Sequence, residues 1–314
     1  MQEVEKMTTL RLDGAAILAL VAILLCADGG RVLSEERGQK AAAPQATCPR
    51  SDFRVVIDVG HTEAVAGAMS ARGAPEYAFN LNLAQDVKQA LVSAGFDKTV
   101  LLITSKAPFL GLFERAIRAN AMAANLFISI HHDSVPDNLL QTWQYEGQDH
   151  HFNDDYPGYA IFISNRNGDR AGSLLFGKYL GTELQARGLG YTPHYVLPIM
   201  RHRRRELLDA DAGVYRYDEL IVLQRTHMAA ALLEAGSIIN RQEEPVLASP
   251  ERRAVTSAAI AAAVEDFCTA RATRHDERLA KRPSAPAVAA LPHRAAALPS
   301  LLQPKSPSDR MGSH

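Results

Sequence analysis

The sequence predicts an α/β domain of three layers, in which a mainly parallel central sheet of about six strands lies between two layers of helices. Short apolar runs rich in Val, Ile and Leu recur along the chain and are bounded by polar or Gly positions, as is typical of strands buried on both faces. Segments with a helical spacing of apolar residues separate these runs. The repeated strand–helix–strand order favours parallel pairing, because a helix is the usual crossover between parallel strands.

The elements follow one another in order, beginning with a strand at 54–58 (RVVID). A helix from Glu76 to Ala94 carries an apolar stripe and ends at Gly95, the residue type favoured just past a helix end. Further strands are predicted at 99–104, 126–130, 159–164, 220–224 and 230–234, and further helices at 110–124, 169–187 and 250–270. Two long connections, 133–157 and 190–217, interrupt this order, and long ordered loops are usually functional.

Composition and charge limit the class of protein. The chain has 314 residues, is 47% hydrophobic and carries 34 basic against 35 acidic residues, so its charge indicates no nucleic-acid partner. It shows no internal repeat, and we expect one folded domain at 51–270 and a monomer. The segment 30–50 is predicted to be a linker. The segment 271–314, rich in Ala, Pro, Arg and Ser, is predicted to be a disordered tail, since it cannot bury enough apolar surface.

The amino-terminal segment is predicted to direct export. Residues 14–27 are apolar but too few for a confident membrane span, and the small residues Ala27-Asp28-Gly29 follow. A signal peptide over 1–29 is therefore favoured, with an uncleaved amino-terminal anchor as the alternative. Its removal leaves Cys48 and Cys268, which flank the domain; a disulfide and two unpaired thiols both remain open.

One run departs from the balanced charge of the chain. Residues 201–205 read Arg-His-Arg-Arg-Arg. A solvated loop is one interpretation of this run. The other is a contact for an anionic substrate or an acidic partner.

Reactive side chains end three of the predicted strand patterns. His61 follows RVVIDVG, His131 ends ANLFISIH, and Glu234 ends AALLE. Because reactive groups of open α/β sheets gather beyond the carboxyl ends of the strands, we expect these three to lie together. Glu76, at a predicted helix start, adds a second carboxylate. Two histidines and one carboxylate, with a fourth position open to water, are the ligand set of a catalytic zinc.

The roles within this group follow from strand geometry and charge. His132 must point to the opposite side of the strand from His131, so only His131 should face the metal. Glu234 ends a very apolar strand, and a charge at such a position costs free energy unless it has a partner or a function. A zinc hydrolase also needs a group that transfers protons. We therefore predict one zinc ion held by His61, Glu76 and His131, with Glu234 as the catalytic acid–base. For each residue alone, an ordinary loop or helix-start position is the alternative.

Four segments, VVIDVGH, PEYAFNLNLA, ERAIRANAMAANLFISIHHDS and LLEAGSIIN, resemble the zinc-dependent N-acetylmuramoyl-L-alanine amidases over about 53–241. That family has a strand followed by D-P-G-H, an E-x-x-x-N helix start, S-I-H, and a terminal E-x-G-x-x-x-N. By position, the resemblance implies that His61, Glu76 and His131 are zinc ligands and that Glu234 is the catalytic glutamate. The implied reaction is hydrolysis of the amide between N-acetylmuramic acid and the L-alanine of the stem peptide.

The resemblance also implies a place and a partner for this chemistry: peptidoglycan in the bacterial periplasm, during cell-wall turnover or cell separation. The chain departs from the family at Val59, where proline is usual, and at Thr62-Glu63, which replace a glycine pair. His132 stands where alanine is common. These departures concern substrate fit and regulation and remove no ligand.

Two further residues are candidates for supporting roles. Asn80, one turn after Glu76, could hold that carboxylate by a hydrogen bond, or simply pack the helix end. Arg115 could anchor an anionic group of the stem peptide, with a surface ion pair as the alternative.

The 133–157 insertion is predicted to fold over the zinc and occlude it, and a regulatory partner is expected to act through it. The insertion follows His131 directly and carries four potential ligands: Glu146, Asp149, His150 and His151. A passive surface loop is the alternative. Two other functions remain open for the whole chain, a zinc peptidase acting on stem peptides and a catalytically inactive cell-wall-binding module.

Overall fold

A seven-stranded mixed sheet with helices on both faces forms the centre of the protein. The computed structural model describes residues 47–105 and 108–280. The sheet comprises β1 (Val55–Val59), β2 (Val100–Leu102), β3 (Leu126–Asp133), β6 (Ala160–Ile163), β7 (Glu206–Asp209), β8 (Val214–Arg216) and β9 (Ala229–Ser237), and a separate hairpin comprises β4 (Gln141–Tyr145) and β5 (Gln148–Phe152). The helices are α1 (Glu76–Ser93), α2 (Pro108–Ala121), α3 (Arg170–Ala186), α4 (Ile221–Gln224), α5 (Glu243–Ala248) and α6 (Pro250–Ala280).

The strand order is β2-β1-β3-β9-β6-β8-β7. Strands β2, β1, β3 and β9 are parallel neighbours, and β6 pairs with β8 in parallel but with β9 in antiparallel orientation. Strand β7 pairs antiparallel with β8 at the sheet edge. The predicted α/β fold with a mainly parallel sheet is therefore confirmed, with seven strands instead of about six.

The two faces of the sheet bury separate apolar clusters, because alternate residues of a strand point to opposite sides. Ile57 and Ile128 belong to the cluster that packs against α1, α3 and α6. Val56 and Phe127 belong to the cluster on the other face, which includes Leu223 of α4. The central strands are thus buried on both sides, and their carboxyl ends meet at one edge.

The sequence prediction of a strand at 220–224 is wrong. Residues Ile221–Gln224 form α4, and this short helix is apolar because Val222 and Leu223 are buried against the sheet. A short apolar run cannot by itself distinguish a buried strand from a buried helical turn.

The structure also adds elements inside the two predicted connections. The hairpin β4–β5 occupies much of 133–157, and β7 and β8 lie within 190–217. Helix α6 continues to Ala280, ten residues past the boundary predicted at 270. The predicted leader at 1–29, most of the linker and the tail beyond 280 lie outside the described residues.

Cys48 and Cys268 form a disulfide, with their Cα atoms 5.2 Å apart. The bond joins the segment before β1 to α6 across 220 residues of sequence. Cys268 is buried in the apolar cluster beside Phe267. Within 47–105 and 108–280, no helix has the length and apolar character needed to cross a membrane.

Candidate metal centre and catalytic site

Three side chains predicted as metal ligands converge at the carboxyl edge of the sheet. His61 follows β1, Glu76 begins α1, and His131 lies in β3. Nε2 of His61 lies 2.9 Å from Oε2 of Glu76, and Nδ1 of His131 lies 3.0 Å from Oε1 of the same carboxylate. One ligand atom from each of the three lies within 4.8 Å of the other two. Two imidazole nitrogens and a carboxylate at this spacing fit one divalent cation of the zinc type.

Arg115 stabilises the unusual backbone of His61. The φ angle of His61 is 65°, in the left-handed region that side chains other than glycine rarely adopt. Arg115 donates hydrogen bonds to the carbonyl oxygens of His61 and Val59 and forms an ion pair of 2.6 Å with Asp58. From the sequence, Arg115 is expected either to bind an anionic group of the stem peptide or to form an ion pair at the surface. It is instead buried, with its guanidinium engaged by acceptors within the protein, so it positions His61.

Glu76 is held as a carboxylate by its neighbours. Burial acts to raise its pKa, but hydrogen bonds and charges from His131 and His61 outweigh burial and hold the pKa well below its usual range. The backbone N–H of Ala68 donates to Oε2 at 3.1 Å. Asn80 donates from Nδ2 to Oε1 at 3.1 Å, which is the hydrogen bond that the sequence analysis expected. These hydrogen bonds fix the orientation of the carboxylate.

His132 points to the other face of β3, as strand alternation predicts. Its Nδ1 lies 2.8 Å from Oδ1 of Asn80, and its ring lies 5.6 Å from that of Phe79. Burial lowers the pKa of His132 to about 3, so the imidazole is neutral. His132 therefore connects α1 to β3 and belongs to the support of the site.

Gly60 and Gly67 have no side chain, and this absence makes room for the three predicted ligands. The sequence pattern did not indicate either glycine as part of the site. A Cβ atom on Gly67 would lie 2.4 Å from Oε2 of Glu76 and 2.7 Å from Cδ2 of His61. A Cβ atom on Gly60 would lie 2.4 Å from the ring of His131. Gly60, next to His61, could have been noticed in the motif, whereas Gly67 depends on a loop path that no sequence pattern indicates.

His61, Glu76 and His131 are called the metal group below. Glu234 lies beside this group on β9, the strand next to β3. Its Cα is paired in register with that of His131, and in-register residues of parallel strands project from the same face. The carboxyl makes no hydrogen bond to any residue that the structure describes. Burial raises the pKa of Glu234 well above its usual range, and the negative charges of Asp133 and Glu76 add to this rise. A carboxyl of this kind binds and releases a proton more readily near neutral pH than an exposed one.

A second polar cluster, formed by Asp133, His194 and Tyr195, adjoins Glu234 and was not predicted. The hydroxyl of Tyr195 donates to Oδ1 of Asp133 at 2.7 Å. Oδ2 of Asp133 and Nε2 of His194 are 3.7 Å apart, and within the described chain both are buried without a hydrogen-bond partner. Burial raises the pKa of Asp133 to about 7 and lowers that of His194 to about 4. Asp133 could have been noticed as the acid that follows the two histidines of IHHDS.

A cavity of about 400 Å³ opens beside the metal group. His61, His131 and Arg115 contribute to its lining. Its walls are otherwise mostly apolar and come from α2, from the residue before α4 and from α4 itself: Leu112, Leu220, Ile221 and Val222. This combination of an apolar wall with a few polar groups at one end is usual for a small-molecule or substrate site.

The hairpin β4–β5 packs beside the segment 71–73 and supplies no ligand to the metal group. Trp143 donates from Nε1 to the carbonyl oxygen of Ala71 at 2.8 Å, and His150 lies against Gly73. The potential ligands of the insertion, Glu146, Asp149, His150 and His151, all lie outside the group, and none of them lines the cavity. The insertion therefore adds no ligand to the group, and occlusion of the metal by the hairpin stays a prediction.

Comparisons with known proteins identify a family and a fold. A sequence model of the family described as N-acetylmuramoyl-L-alanine amidase matches residues 55–266. No curated protein gives a significant sequence match. The fold is similar to that of the N-acetylmuramyl-L-alanine amidase Ami1 from Mycobacterium smegmatis, at a TM-score of 0.53 and 18% identity, over 70% of this chain and 98% of that one.

Two further solved structures share the fold. The apo form of Ami1 from Mycobacterium abscessus gives a TM-score of 0.52 at 20% identity and covers 69% of this chain and 98% of its own. The CwlD amidase from Clostridioides difficile, solved in complex with the GerS lipoprotein, gives 0.50 at 17% identity and covers 70% and 100%. At these identities the likeness concerns the arrangement of strands and helices.

Proposed function

Since the chain belongs to the N-acetylmuramoyl-L-alanine amidase family, we propose that it hydrolyses the amide between N-acetylmuramic acid and L-alanine in peptidoglycan, during cell-wall turnover or cell separation. One observation carries the proposal. His61, Glu76 and His131 converge on a single point, and Glu234 lies in register beside His131. Three ligands and one unpaired carboxyl are the groups that metal-assisted amide hydrolysis requires.

The donor set supports one zinc ion, held by His61, Glu76 and His131. When bound, zinc supplies a Lewis acid that polarises the scissile carbonyl and makes water more acidic. Glu76 is held as a carboxylate, the form that binds a cation, and each imidazole presents a ring nitrogen to it. Gly67 leaves the space beside two of them.

Glu234 is proposed to move the proton. Its carboxylate takes a proton from the attacking water and delivers it to the leaving nitrogen of L-alanine, so that the amine departs neutral. Burial raises its pKa and makes the carboxylate a stronger base than an exposed glutamate. The apolar walls of the cavity, Leu112 and Ile221 among them, restrict the access of bulk water to the reacting bond.

Export to the periplasm is part of the proposal. The predicted leader at 1–29 supports it, as does the disulfide between Cys48 and Cys268, because disulfides persist mainly in oxidising compartments. A substrate that lies outside the cytoplasmic membrane requires the same location.

The decisive experiment is digestion of purified sacculi, with analysis of the products. Amidase action releases stem peptides with a free L-alanine amino terminus and leaves intact glycan, whereas the alternative zinc peptidase would leave muramyl peptides. A chelator should abolish release, and added zinc should restore it. The Glu234→Gln variant should bind sacculi without releasing peptides. Wild-type protein that binds but releases nothing at full zinc loading would instead support the alternative of an inactive binding module.

We further propose that a regulatory partner binds the hairpin β4–β5. The hairpin is attached to the segment 71–73, which leads into Glu76, so a partner that shifts the hairpin could shift a metal ligand. Exposed positions such as Gln148 are available for contact. A Gln148→Glu variant is expected to keep the activity of the purified protein and to lose it only in cells that contain the partner.

A further inference from the structure

The segment 201–205 carries more positive charge than the acids around it compensate. Arg201, Arg203 and Arg204 are exposed, and their side chains make no ion pair or hydrogen bond with any residue of 47–105 or 108–280. Of the neighbouring acids, Glu206 and Asp218 both pair with Arg216, at 2.5 and 3.1 Å. Glu219 is exposed and lines the same cavity as Arg204 and Arg205, so one carboxylate faces these arginines.

Arg205 gives this segment a defined conformation. Its guanidinium lies 3.7 Å from the ring centroid of Tyr217 and donates to the carbonyl oxygens of His202 and Arg204, both at 3.0 Å. Its Nε is buried and has no partner among the described residues. Stacking on an aromatic ring orders an arginine while leaving its charge available. The segment therefore combines one ordered arginine, Arg205, with exposed arginines on either side of His202.

This segment adjoins the proposed catalytic cavity. A second cavity, of about 470 Å³, is lined by His202, Arg204, Arg205 and Arg216 and by the acids Glu206, Asp218 and Glu219. Glu219 also lines the cavity beside the metal group. On the other side, the backbone N–H of Arg205 donates to the carbonyl oxygen of Tyr195 at 2.8 Å. The hydroxyl of Tyr195 in turn binds Asp133, two residues beyond His131. A ligand bound at the metal group could thus extend past Glu219 to the arginines.

We propose that the segment 201–205 is a subsite that binds the free carboxylates of the peptidoglycan stem peptide, and this inference rests on the amidase function proposed above. Arginine is suited to the task because its planar guanidinium binds carboxylates with two hydrogen bonds. When the scissile amide lies at the metal group, the peptide beyond L-alanine must leave the cavity. Its carboxylates then meet Arg204, which lines the second cavity, and the exposed Arg203 that precedes it in the chain. The chain has a net charge of −1, so this positive region is local.

The test compares two matched muramyl dipeptides as substrates for the zinc-loaded protein, one with the free carboxyls of D-glutamate and one with both carboxyls amidated. The double variant Arg203→Gln/Arg204→Gln should raise KM for the free-carboxyl substrate about fivefold, as expected for the loss of two partly exposed ion pairs, and leave kcat unchanged. KM for the amidated substrate should not change. Salt should raise KM of the wild type for the free-carboxyl substrate and have little effect on the double variant.

A charge-matched control is available on the other face of the sheet. Arg170 and Arg274 lie on α3 and α6 and are exposed, so Arg170→Gln/Arg274→Gln removes the same charge away from the cavity and should behave as wild type. If the wild type cleaves neither dipeptide nor sacculi, the amidase function itself fails. If it cleaves both and the Arg203/Arg204 variant keeps wild-type KM, only the subsite is overturned. Loss of binding to phosphatidylglycerol vesicles with unchanged KM would assign the arginines to a membrane surface and would also overturn it.

Discussion

At the scale of single residues, the pKa values of two glutamates in the site are shifted in opposite directions. Glu76 accepts hydrogen bonds from Asn80 and the backbone and lies against two imidazoles, which hold its pKa low. Glu234 has no such partners in the described structure, and burial raises its pKa. Environments that separate the pKa values of two carboxyls separate their roles, and the roles we propose here are metal ligand for Glu76 and proton carrier for Glu234.

The first prediction concerns the stability of the metal-free protein. Because the folded-state pKa of Glu234 is raised, its ionisation opposes folding, and this loss of stability grows as the pH rises above the unfolded-state pKa of about 4.3. Glu234→Gln should therefore raise the free energy of unfolding at pH 7 by about 1–3 kcal/mol. Urea unfolding after chelation, at pH 4 and pH 7, measures the effect.

The comparison of the two pH values supplies the control for Glu234. At pH 4 the wild-type carboxyl is largely protonated in both states, so wild type and variant should unfold at similar urea concentrations. An equal stability difference at both pH values would contradict the raised pKa. A variant less stable than wild type at pH 7 would contradict the unpaired state of the carboxyl.

The second prediction concerns the space between the ligands. Gly67→Ala should lower zinc affinity at least tenfold, because the added Cβ would overlap Oε2 of Glu76 and the ring of His61. Gly188→Ala is the matched control: its φ of 79° is close to the 80° of Gly67, but its Cβ would meet no atom within 4 Å. Competition with a chromogenic chelator measures both. Equal losses of affinity in the two variants would show that backbone strain, and not the ligand space, is responsible.

At the scale of elements, the sequence predicts those parts that are long, apolar and buried. Strands β1, β3 and β9 are apolar on both faces, and each leads directly to a reactive residue, so both the sheet centre and His61, His131 and Glu234 could be identified from periodicity. Strands β7 and β8 have only four and three residues and carry charged side chains, so no apolar run marks them. The apolar α4 was mistaken for a strand for the opposite reason, since one buried helical turn looks the same as a buried strand.

The same limit applies to the site. Gly67 lies against two predicted ligands and His194 lies beside Asp133 because of the conformations of the connecting segments. Such conformations depend on tertiary contacts, which the periodicity of a sequence does not predict. The burial of Arg115 is a related case. Its pairing with Asp58 requires α2 to pack on the end of β1, and the charge of an arginine alone indicates exposure.

The third prediction concerns the hairpin β4–β5 as a brace for the segment 71–73. Trp143 is half-buried, hydrogen-bonds to Ala71 and lies 5.5 Å from the guanidinium of Arg72. Trp143→Ala should lower the free energy of unfolding by about 1–3 kcal/mol and also lower zinc affinity, because the loosened segment leads into Glu76. Chemical unfolding and zinc titration measure the two effects.

A control on the same hairpin separates bracing from occlusion. Gln148→Ala alters an exposed position and should leave both quantities unchanged. A hairpin that occluded the metal would behave differently, because its loosening by Trp143→Ala would raise activity on sacculi. An increase in activity would therefore overturn the bracing role.

At the scale of the whole molecule, the strands that carry the site are distant in sequence and adjacent in space. The strand order β1-β3-β9 places His61, His131 and Glu234 at one edge of the sheet. The metal group therefore forms only when the central sheet is complete. Parallel pairing over such separations closes long loops, which costs chain entropy. A covalent link between the ends of the folded unit reduces that cost in the unfolded state.

The last prediction therefore concerns the disulfide. Cys48→Ala/Cys268→Ala should lower the free energy of unfolding by about 2–4 kcal/mol and Tm by about 5–15 °C, since the bond closes a loop of 220 residues. Activity at 25 °C should persist, because Cys48 precedes the amino end of β1 whereas His61 follows its carboxyl end. Differential scanning calorimetry of the variant, of wild type and of reduced wild type measures the effect.

The Tm of the variant and that of the reduced protein should agree, because alanine removes the bond while keeping the buried position of Cys268 apolar. A Tm equal to that of the oxidised wild type would show that the link does not constrain the unfolded chain. Loss of activity at 25 °C would show that the two ends of the sheet are coupled.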